Sequence, residues 1–315
     1  MQAMQFDRYG PPEVLHLTTL PSPQAGSGEV RIRLQAAGVA PFDAKLRAGL
    51  LQAHFQPTLP KIPGRDGVGV VDQVGAGVTG FTVGDAVCVM ADPARGTYAE
   101  MVVCSAGLVV PRPAGLSLHQ AAALLQPANS AWIAVMQTAQ VAAGMQVLVH
   151  GGAGAVGSLM VQLCQHLGAV VTATCRAGNE DYVMGLGASR AIAYDRDDFG
   201  TLRHQDVVFD LIGGTTHARS YAVLRKGGHL VYLTAAPIVD TGSAFGVQVS
   251  RAIIANQSHV LVAVAQLAVE GVLRPRVAGV FALADAAQAH TTLEAGQVTR
   301  GRLVLDIAPA HAVPV

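Results

Sequence analysis

Charged residues are scarce in this chain of 315 residues, and neither sign predominates. Lys and Arg together number 21, Asp and Glu also number 21, and charged residues make up 13% of the sequence. The absence of a basic stripe or a long run of one charge argues against nucleic acid or an anionic membrane as the main partner. The chain is 51% hydrophobic, so it can bury a large core, and its length favours two domains.

Cysteine is also sparse, and long apolar runs are missing. The four cysteines (Cys88, Cys104, Cys164 and Cys175) lie apart and form no Cys-x-x-Cys pair, which favours a reduced, cytoplasmic protein. The N-terminus has no cationic segment followed by an apolar run, so we expect no signal peptide. Apolar runs stop short of the roughly 20 residues that a membrane helix needs, so we expect no membrane span.

Glycine, by contrast, is plentiful, and one cluster of it falls between a strand pattern and a helix pattern. Gln146–His150 is short, apolar and β-branched like a buried strand, and Val156–Leu167 is amphipathic like a helix. The turn between them has the Gly-x-Gly-x-x-Gly spacing of a dinucleotide site, where successive glycines allow the tight turn, the approach of a pyrophosphate and close helix packing. We predict that this turn binds the cofactor, the alternative being an ordinary tight turn. Its residues are Gly152, Ala153, Gly154, Ala155, Val156 and Gly157.

The next strand pattern, residues 170–174, indicates which dinucleotide binds. An NAD site usually carries a carboxylate at the end of this strand, where it holds the ribose 2′-hydroxyl. Here Thr174 is followed by Cys175 and Arg176, and none of the five residues after Thr174 is acidic. Because a guanidinium attracts the 2′-phosphate that a carboxylate would repel, we predict NADPH, unless Arg176 is merely solvated. Tyr194, after a third strand pattern, is a second candidate for the adenosine phosphate end.

The texture of the chain changes near residue 118. Before it, short strand patterns are separated by glycines and prolines, as in a small β-barrel domain. After it, strand and helix patterns alternate, as in a doubly wound parallel sheet. The segment 246–254 is a plausible edge strand of that sheet. The sequence therefore predicts an α/β protein with a β-rich part and a parallel-sheet part.

Several segments together resemble the medium-chain dehydrogenase/reductase superfamily, in its zinc-independent quinone oxidoreductase (ζ-crystallin-like) branch. The resemblance covers nearly the whole chain and is carried by residues 8–15, 37–49, 62–71, 83–87, 151–157, 209–214 and 301–307. It implies a Rossmann doubly wound parallel sheet, residues 119–261, inserted into a β-rich GroES-like catalytic domain of residues 1–118 and 262–315. It also implies a homodimer.

The same resemblance bears on zinc. Zinc-bearing relatives present a Cys where this chain has Pro41 or Phe42, and a His where it has Arg65. They also carry a lobe with four closely spaced cysteines, which is missing here. Since a catalytic zinc needs three N, S or O ligands from the protein, we predict an enzyme without metal.

The implied reaction is hydride transfer from NADPH to a quinone or to the β-carbon of an α,β-unsaturated carbonyl, in a cleft between the domains. Two alternatives stay open. An enoyl-thioester reductase would need a basic groove for its CoA or carrier. A non-catalytic NADPH-binding protein, structural or regulatory, is kept open by Ala40, which stands where the family has an Asn.

Family positions supply further candidates near the reacting groups. Asn129 and Ser130 fall where a Thr near the nicotinamide is usual, although Ser130 would alternatively cap the helix that contains Trp132. Lys45 would polarise the acceptor oxygen unless it is a solvated surface residue. Asp43 would fix a loop or a proton route, the alternative being a structural turn residue. The catalytic candidates are Lys45, Asp43 and Ser130. The remaining cofactor candidates follow the fourth and fifth strand patterns: Ile212, Gly213, Leu233, Thr234 and Ala235.

Overall fold

The computed structural model describes residues 1–53, 55–234 and 237–307, so the cofactor candidate Ala235 lies outside the described residues. The strands are β1 (Gln2–Gln5), β2 (His16–Thr19), β3 (Glu29–Gly38), β4 (Asp66–Val74), β5 (Ala86–Met90), β6 (Met101–Ser105), β7 (Val109–Pro111), β8 (Gln146–Val149), β9 (Val170–Cys175), β10 (Arg190–Ala193), β11 (Gln205–Asp210), β12 (Leu224–Tyr232), β13 (Gln248–Arg251), β14 (Val277–Ala282) and β15 (Arg302–Asp306). The α-helices are α1 (Pro41–Arg47), α2 (Leu118–Ala122), α3 (Leu125–Trp132), α4 (Ala155–His166), α5 (Glu180–Gly185), α6 (Gly214–Ser220), α7 (Gly242–Phe245), α8 (Ser258–Val269) and α9 (Ala286–Glu294).

The middle of the chain forms a six-stranded parallel sheet with the order β10-β9-β8-β11-β12-β13. Its central strands are apolar on both faces, and Val147, Leu148 and Val149 are fully buried. The chain leaves β8 in one direction and returns to the other side at β11, so the strand order reverses between these two strands. Open α/β sheets bind ligands in the crevice at such a reversal. The predicted doubly wound sheet is confirmed.

The two ends of the chain share a second sheet of seven strands, with the order β14-β15-β3-β4-β5-β7. The seventh strand, β6, lies off this path and pairs with β3. Strand β15 pairs antiparallel with β3, where Val304 faces Gly38. The parallel sheet is therefore inserted within the β-rich part, as the sequence predicts. The boundaries at residues 118/119 and 261/262 stay a prediction.

Helix α3 begins earlier than the sequence suggests. It starts at Leu125, and the backbone N–H of Gln126 donates to the carboxylate of Asp66, 2.9 Å away. The side chain that accepts this N–H from the first turn of α3 therefore comes from β4 of the other sheet. Ser130 lies inside the helix, so the alternative in which it caps the helix is wrong. A π-helical segment, Ile133–Thr138, continues α3 directly.

Candidate active site

The Gly-rich turn joins β8 to α4 at the carboxyl edge of the parallel sheet. Gly151 has a φ of 73°, so the sharp reversal lies one residue before Gly152, the first glycine of the predicted spacing. Gly152 is required for a different reason, because a Cβ there would lie 2.7 Å from the Cβ of Ala173. A Cβ on Gly157 would lie 2.1 Å from the carbonyl oxygen of Gly151, so this glycine lets α4 pack against the turn.

Gly154 differs from its neighbours because little in the protein demands a glycine there. A Cβ at this position would meet only the carbonyl oxygen of Gly151, at 3.4 Å, and φ is an ordinary −72°. The residue immediately precedes α4, whose first N–H groups have no partner within the helix and carry its positive end. The turn thus keeps backbone donors and open space at one place, which fits a pyrophosphate.

A cleft of about 370 Å³ lies over this turn. Nine of the predicted cofactor residues line it: Ala153, Gly154, Ala155, Val156, Gly157, Cys175, Arg176, Tyr194 and Ile212. Its other wall comes from the β-rich part and includes residues 39–42, 298–299 and Arg302. The cleft therefore lies between the two sheets, where the sequence places the reaction.

The end of the cleft next to β9 carries an available cation. Arg176 is exposed and forms no ion pair with a carboxylate in the described part of the chain, whereas nearby Arg196 is paired with Glu180. Tyr194 is 55% exposed beside it, and its N–H donates to the carbonyl of Cys175 at 3.0 Å. Burial raises the pKa of the Cys175 thiol to about 11, so this thiol is uncharged at neutral pH.

Thr174 supports the turn from below and does not line the cleft. Its Oγ1 accepts a hydrogen bond from the N–H of Gly151 and contacts Nδ1 of His150, each at 3.2 Å. Both side chains are buried. Burial lowers the pKa of His150 to about 4, so the ring is neutral at physiological pH.

The loop after β11 is held by a buried carboxylate. Oδ1 of Asp210 accepts the N–H groups of Ile212 and Gly213, each at 2.8 Å, and Oδ2 lies 2.8 Å from Nδ1 of His217. The other ring nitrogen of His217 lies 2.9 Å from the hydroxyl of Tyr221. Ile212 reaches the cleft, while Gly213 shapes the loop behind it.

The remaining cofactor candidates lie outside the lining of the cleft. Leu233 donates its N–H to the carbonyl of Asp210 at 3.1 Å, and Thr234 is buried directly after it. Asn129 is buried, and its Nδ2 donates to the carbonyl of Ala255 at 3.1 Å. The Oγ of Ser130 donates to the carbonyl of Gln126 at 3.0 Å, which engages the hydroxyl within its own helix.

A second space, the acceptor pocket, adjoins the cleft and has a volume of about 300 Å³. Phe42 borders both spaces. The other pocket residues are Asp43, Leu46, Phe55, Gln56, Pro57, Thr58, Lys61, Pro63, Gly64, Arg65, Pro93 and Ala94. Lys45 is half-buried on α1 and is not among the residues that line either space, whereas Lys61 lines the acceptor pocket.

Asp43 is a fully buried wall of the acceptor pocket. Its carboxylate accepts the N–H of Ala40 at 3.0 Å and the N–H of Gly64 at 3.1 Å, so it ties the start of α1 to the segment before β4. Burial raises its pKa to about 6, against the opposing effect of Arg302 and Arg65. These contacts favour a structural role for Asp43.

The sequence analysis missed a buried ion pair at the base of the cleft. The Arg302 guanidinium bonds both carboxylate oxygens of Asp66, at 2.6 and 2.7 Å, and its Nε donates to the carbonyl of Val39 at 3.2 Å. Because Asp66 also binds the start of α3, the pair joins β15, β4 and the helix. The two residues are 236 positions apart, so no local spacing could have indicated it.

The turn is also held from the β-rich side. The N–H of Gly301 donates to the carbonyl of Ala153 at 2.8 Å. Nearby, Nδ2 of Asn179 donates to the carbonyl of Thr299 at 3.1 Å. The segment before β15 therefore fixes the outer side of the nucleotide turn.

The described residues hold neither a metal cluster nor a membrane-spanning helix. Within residues 1–53, 55–234 and 237–307, no group of three or more His, Cys, Asp or Glu side chains is placed to hold a metal ion. Across the same ranges, none of the helices has the length and hydropathy needed to cross a membrane.

Known proteins are similar to this chain in sequence and in fold. Residues 26–114 match the alcohol dehydrogenase GroES-like domain, and residues 186–305 match the family described as zinc-binding dehydrogenase. A quinone oxidoreductase of Pseudomonas aeruginosa is 32% identical over 96% of this chain and 98% of its own. The chain belongs to the medium-chain dehydrogenase/reductase superfamily, in its quinone oxidoreductase branch. The predicted family is confirmed.

Other medium-chain dehydrogenase/reductases extend the comparison. The NADPH-dependent alkenal/one oxidoreductase of Arabidopsis thaliana is 32% identical over 98% of this chain and 80% of its own. Among solved structures, the quinone oxidoreductase of Coxiella burnetii is 31% identical, with a TM-score of 0.90 over 98% of this chain and 99% of that one. The Escherichia coli quinone oxidoreductase, solved with NADPH, is 26% identical, with a TM-score of 0.89 over 98% and 100%.

Proposed function

We propose that this chain is an NADPH-dependent reductase of quinones or α,β-unsaturated carbonyls. The observation that carries the proposal is the unpaired Arg176 at the end of β9, beside an open Gly-rich turn and without a carboxylate next to it. That arrangement suits a dinucleotide with a 2′-phosphate. The names of the related reductases support the same acceptor classes.

The residues present fit the cofactor. The open side of Gly154 and the first N–H groups of α4 would hold the pyrophosphate, Arg176 the 2′-phosphate, and Tyr194 the adenosine end. Phe42, at the border of the two spaces, would separate the cofactor from the bulk of the acceptor pocket. When bound, NADPH would supply the hydride, to the β-carbon of an enone or to a quinone, and solvent would supply the proton that completes the reduction.

The protein positions the acceptor and excludes water from the acceptor pocket. The walls of the acceptor pocket are largely apolar and include Phe42, Leu46 and Phe55. Quinones and enones are electron-poor, so their reduction needs less acid catalysis than that of a plain ketone. We therefore propose a reaction without metal, and we also propose a cytoplasmic homodimer that joins through the edge strand β13.

The sharpest test of the cofactor assignment is Arg176→Ala. Loss of a charge-assisted contact to the 2′-phosphate should raise the KM for NADPH by about tenfold or more and leave the KM for NADH nearly unchanged. Steady-state kinetics with both cofactors measures this. Arg196→Ala is the matched control, because that guanidinium is already paired with Glu180.

Equal effects of Arg176→Ala on both cofactors would remove this residue from the phosphate site. Turnover should be followed as NADPH consumption with 1,4-benzoquinones, 9,10-phenanthrenequinone, 2-alkenals and a crotonyl thioester. Tight NADPH binding without turnover on any of them would favour the non-catalytic alternative, and exclusive use of the thioester would favour the enoyl-thioester reductase.

A further inference from the structure

Two cations face the acceptor pocket. Lys61 is 6% exposed, and its Nζ donates one hydrogen bond, to the carbonyl of Pro93 at 2.7 Å. The Arg65 guanidinium lies over the ring of Phe42, 5.2 Å from its centroid, and its Nε is buried without a hydrogen-bond partner in the described residues. Both side chains keep donors that no protein group in residues 1–53, 55–234 and 237–307 accepts.

Lys61 and the half-buried Arg65 differ from the fully buried arginines of the β-rich part. Arg302 is paired with Asp66, and Arg47 is paired with Glu294. Neither Lys61 nor Arg65 forms a salt bridge within the described ranges. Because a buried charge without a partner is costly, an unpaired pair of cations around a cavity indicates that the counter-charge arrives with a ligand.

Asp43, the acidic residue in this lining, forms no salt bridge with either cation in the described residues, although its charge opposes the lowering of the Lys61 pKa by burial and Arg65 in turn opposes the raised pKa of Asp43. Both oxygens of Asp43 already accept backbone N–H groups, from Ala40 and Gly64. The lining thus carries two cations against one carboxylate. Arg65 lies over Phe42 at the border with the cleft, and Lys61 lies beside Pro93.

We propose that the acceptor pocket selects acceptors that carry a carboxylate or another anionic group, with Lys61 and Arg65 as the residues that determine this specificity. The proposal rests on the reductase function proposed above and names its substrate class. Since Phe42 borders both spaces, the reducible double bond would lie next to the cleft, and the anionic group would extend from it to Arg65 and Lys61. The charge is therefore on a side arm, so the double bond keeps the electron deficiency that hydride transfer needs.

A pair of acceptors that differ only in charge tests the proposal. 3-(1,4-Benzoquinon-2-yl)propanoate and its methyl ester share one quinone, and NADPH consumption gives kcat/KM for each. The wild-type chain should favour the carboxylate by about tenfold, the scale of one charge-assisted hydrogen bond, and added NaCl should reduce the preference. Arg65→Gln should lower this ratio several-fold through the KM for the carboxylate, and Arg65→Lys should retain most of it.

Arg33→Gln is the matched control, because Arg33 is an exposed cation of the same sheet that lines neither space. It should leave the preference unchanged. Equal kcat/KM values for acid and ester in the wild-type chain would overturn the proposal while leaving the reductase function intact. A preference that survives both Arg65→Gln and Lys61→Gln would overturn the assignment of these residues.

Binding without turnover separates the two proposals. 3-Phenylpropanoate and the neutral 3-phenylpropanamide are redox-inert probes, and calorimetry with the NADP⁺-loaded chain measures the affinity of each. Tighter binding of the carboxylate, lost in Arg65→Gln, would support the anionic subsite even if neither quinone were reduced, in which case the reductase proposal alone would fail. Equal affinities, or no binding of either probe, would contradict the subsite.

Discussion

The nucleotide cleft and the acceptor pocket border each other, yet they are built in different ways. The cleft floor is one continuous stretch, residues 153–157, and its main features are backbone N–H groups and the absence of side chains. The acceptor pocket draws side chains from separate segments, 42–46, 55–65 and 93–94. A site made of backbone has a fixed spacing in the sequence, whereas a site made of side chains depends on how loops meet. The first kind tolerates few substitutions, and the second can change its specificity one residue at a time.

The ion pair between the two regions gives the largest expected effect. Arg302→Leu leaves the buried Asp66 carboxylate without its partner, which should lower the free energy of unfolding by about 3–5 kcal/mol. Chemical denaturation followed by circular dichroism measures the loss. Arg8→Leu, at an exposed pair with Asp7, should cost at most about 1 kcal/mol. Similar losses in the two variants would show that burial of the Arg302 pair is unimportant.

Gly157→Ala tests whether the cleft depends on backbone packing. Its new Cβ would collide with the carbonyl oxygen of Gly151, so α4 or the turn must shift. We expect a loss of about 1–3 kcal/mol in stability, the scale of overpacking, together with weaker NADPH binding. A thermal melt unchanged from the wild type would contradict the close packing of the helix on the turn.

The two regions should also respond to acid with opposite signs. His150, beneath the turn, has its pKa lowered from 6.5 to about 4 by burial, so the folded state loses stability as pH falls from 6.5 towards 4. Asp43, in the acceptor pocket, has its pKa raised from 3.8 to about 6, so the folded state gains stability as pH falls from 6 towards 3.8. The two contributions oppose each other between pH 4 and 6.

His150→Gln removes one side of this balance. Relative to the wild type, its unfolding free energy should improve by about 1.4 kcal/mol for each pH unit lowered between 6.5 and 4. Denaturation curves at pH 7, 6, 5 and 4.5 measure the difference. His166→Gln, at an exposed histidine, controls for the loss of an imidazole as such. If the unfolding free energies of His150→Gln and wild type changed in parallel over this range, His150 would take up its proton alike in the folded and unfolded states.

Gly154→Ala should have the smallest effect on the fold and a specific effect on binding. The added methyl group meets only one atom at ordinary contact distance, so the melting temperature should stay within about 2 °C of the wild type. Because the methyl group occupies the space next to the first N–H groups of α4, NADPH affinity should fall about tenfold or more. Unchanged affinity would place the pyrophosphate elsewhere.

The difference between the regions also explains what the sequence could predict. The parallel sheet and the nucleotide turn follow from local periodicity and glycine spacing, and both are present in the structure. The tight turn depends on Gly151, one residue before the first glycine of the Gly-x-Gly-x-x-Gly spacing, since spacing alone does not reveal which glycine reverses the chain. The start of α3 was missed because Asp66, from the other sheet, binds it.

The acceptor side depended on resemblance and remained less predictable. Lys45 matches the lysine of the family that would polarise the acceptor. The lysine that lines the pocket is Lys61, 16 residues later in the chain. Arg65 was noticed only as a replacement for a zinc-binding histidine. Its unpaired state is a three-dimensional property, because it depends on which carboxylates come near, and no pattern within the sequence records that.

The hydrogen bond from Gly301 to Ala153 sets an order for biosynthesis. While the chain emerges from the ribosome, the residues of the parallel sheet are all present before those of β15. The nascent protein can therefore assemble the parallel sheet early. The nucleotide turn is fully held only when β15 has paired with β14 and β3. A chain that ends before Gly301 would lose both the pairing of β15 in the second sheet and the hydrogen bond that holds the nucleotide turn. We therefore expect such a truncated chain to be inactive as a reductase.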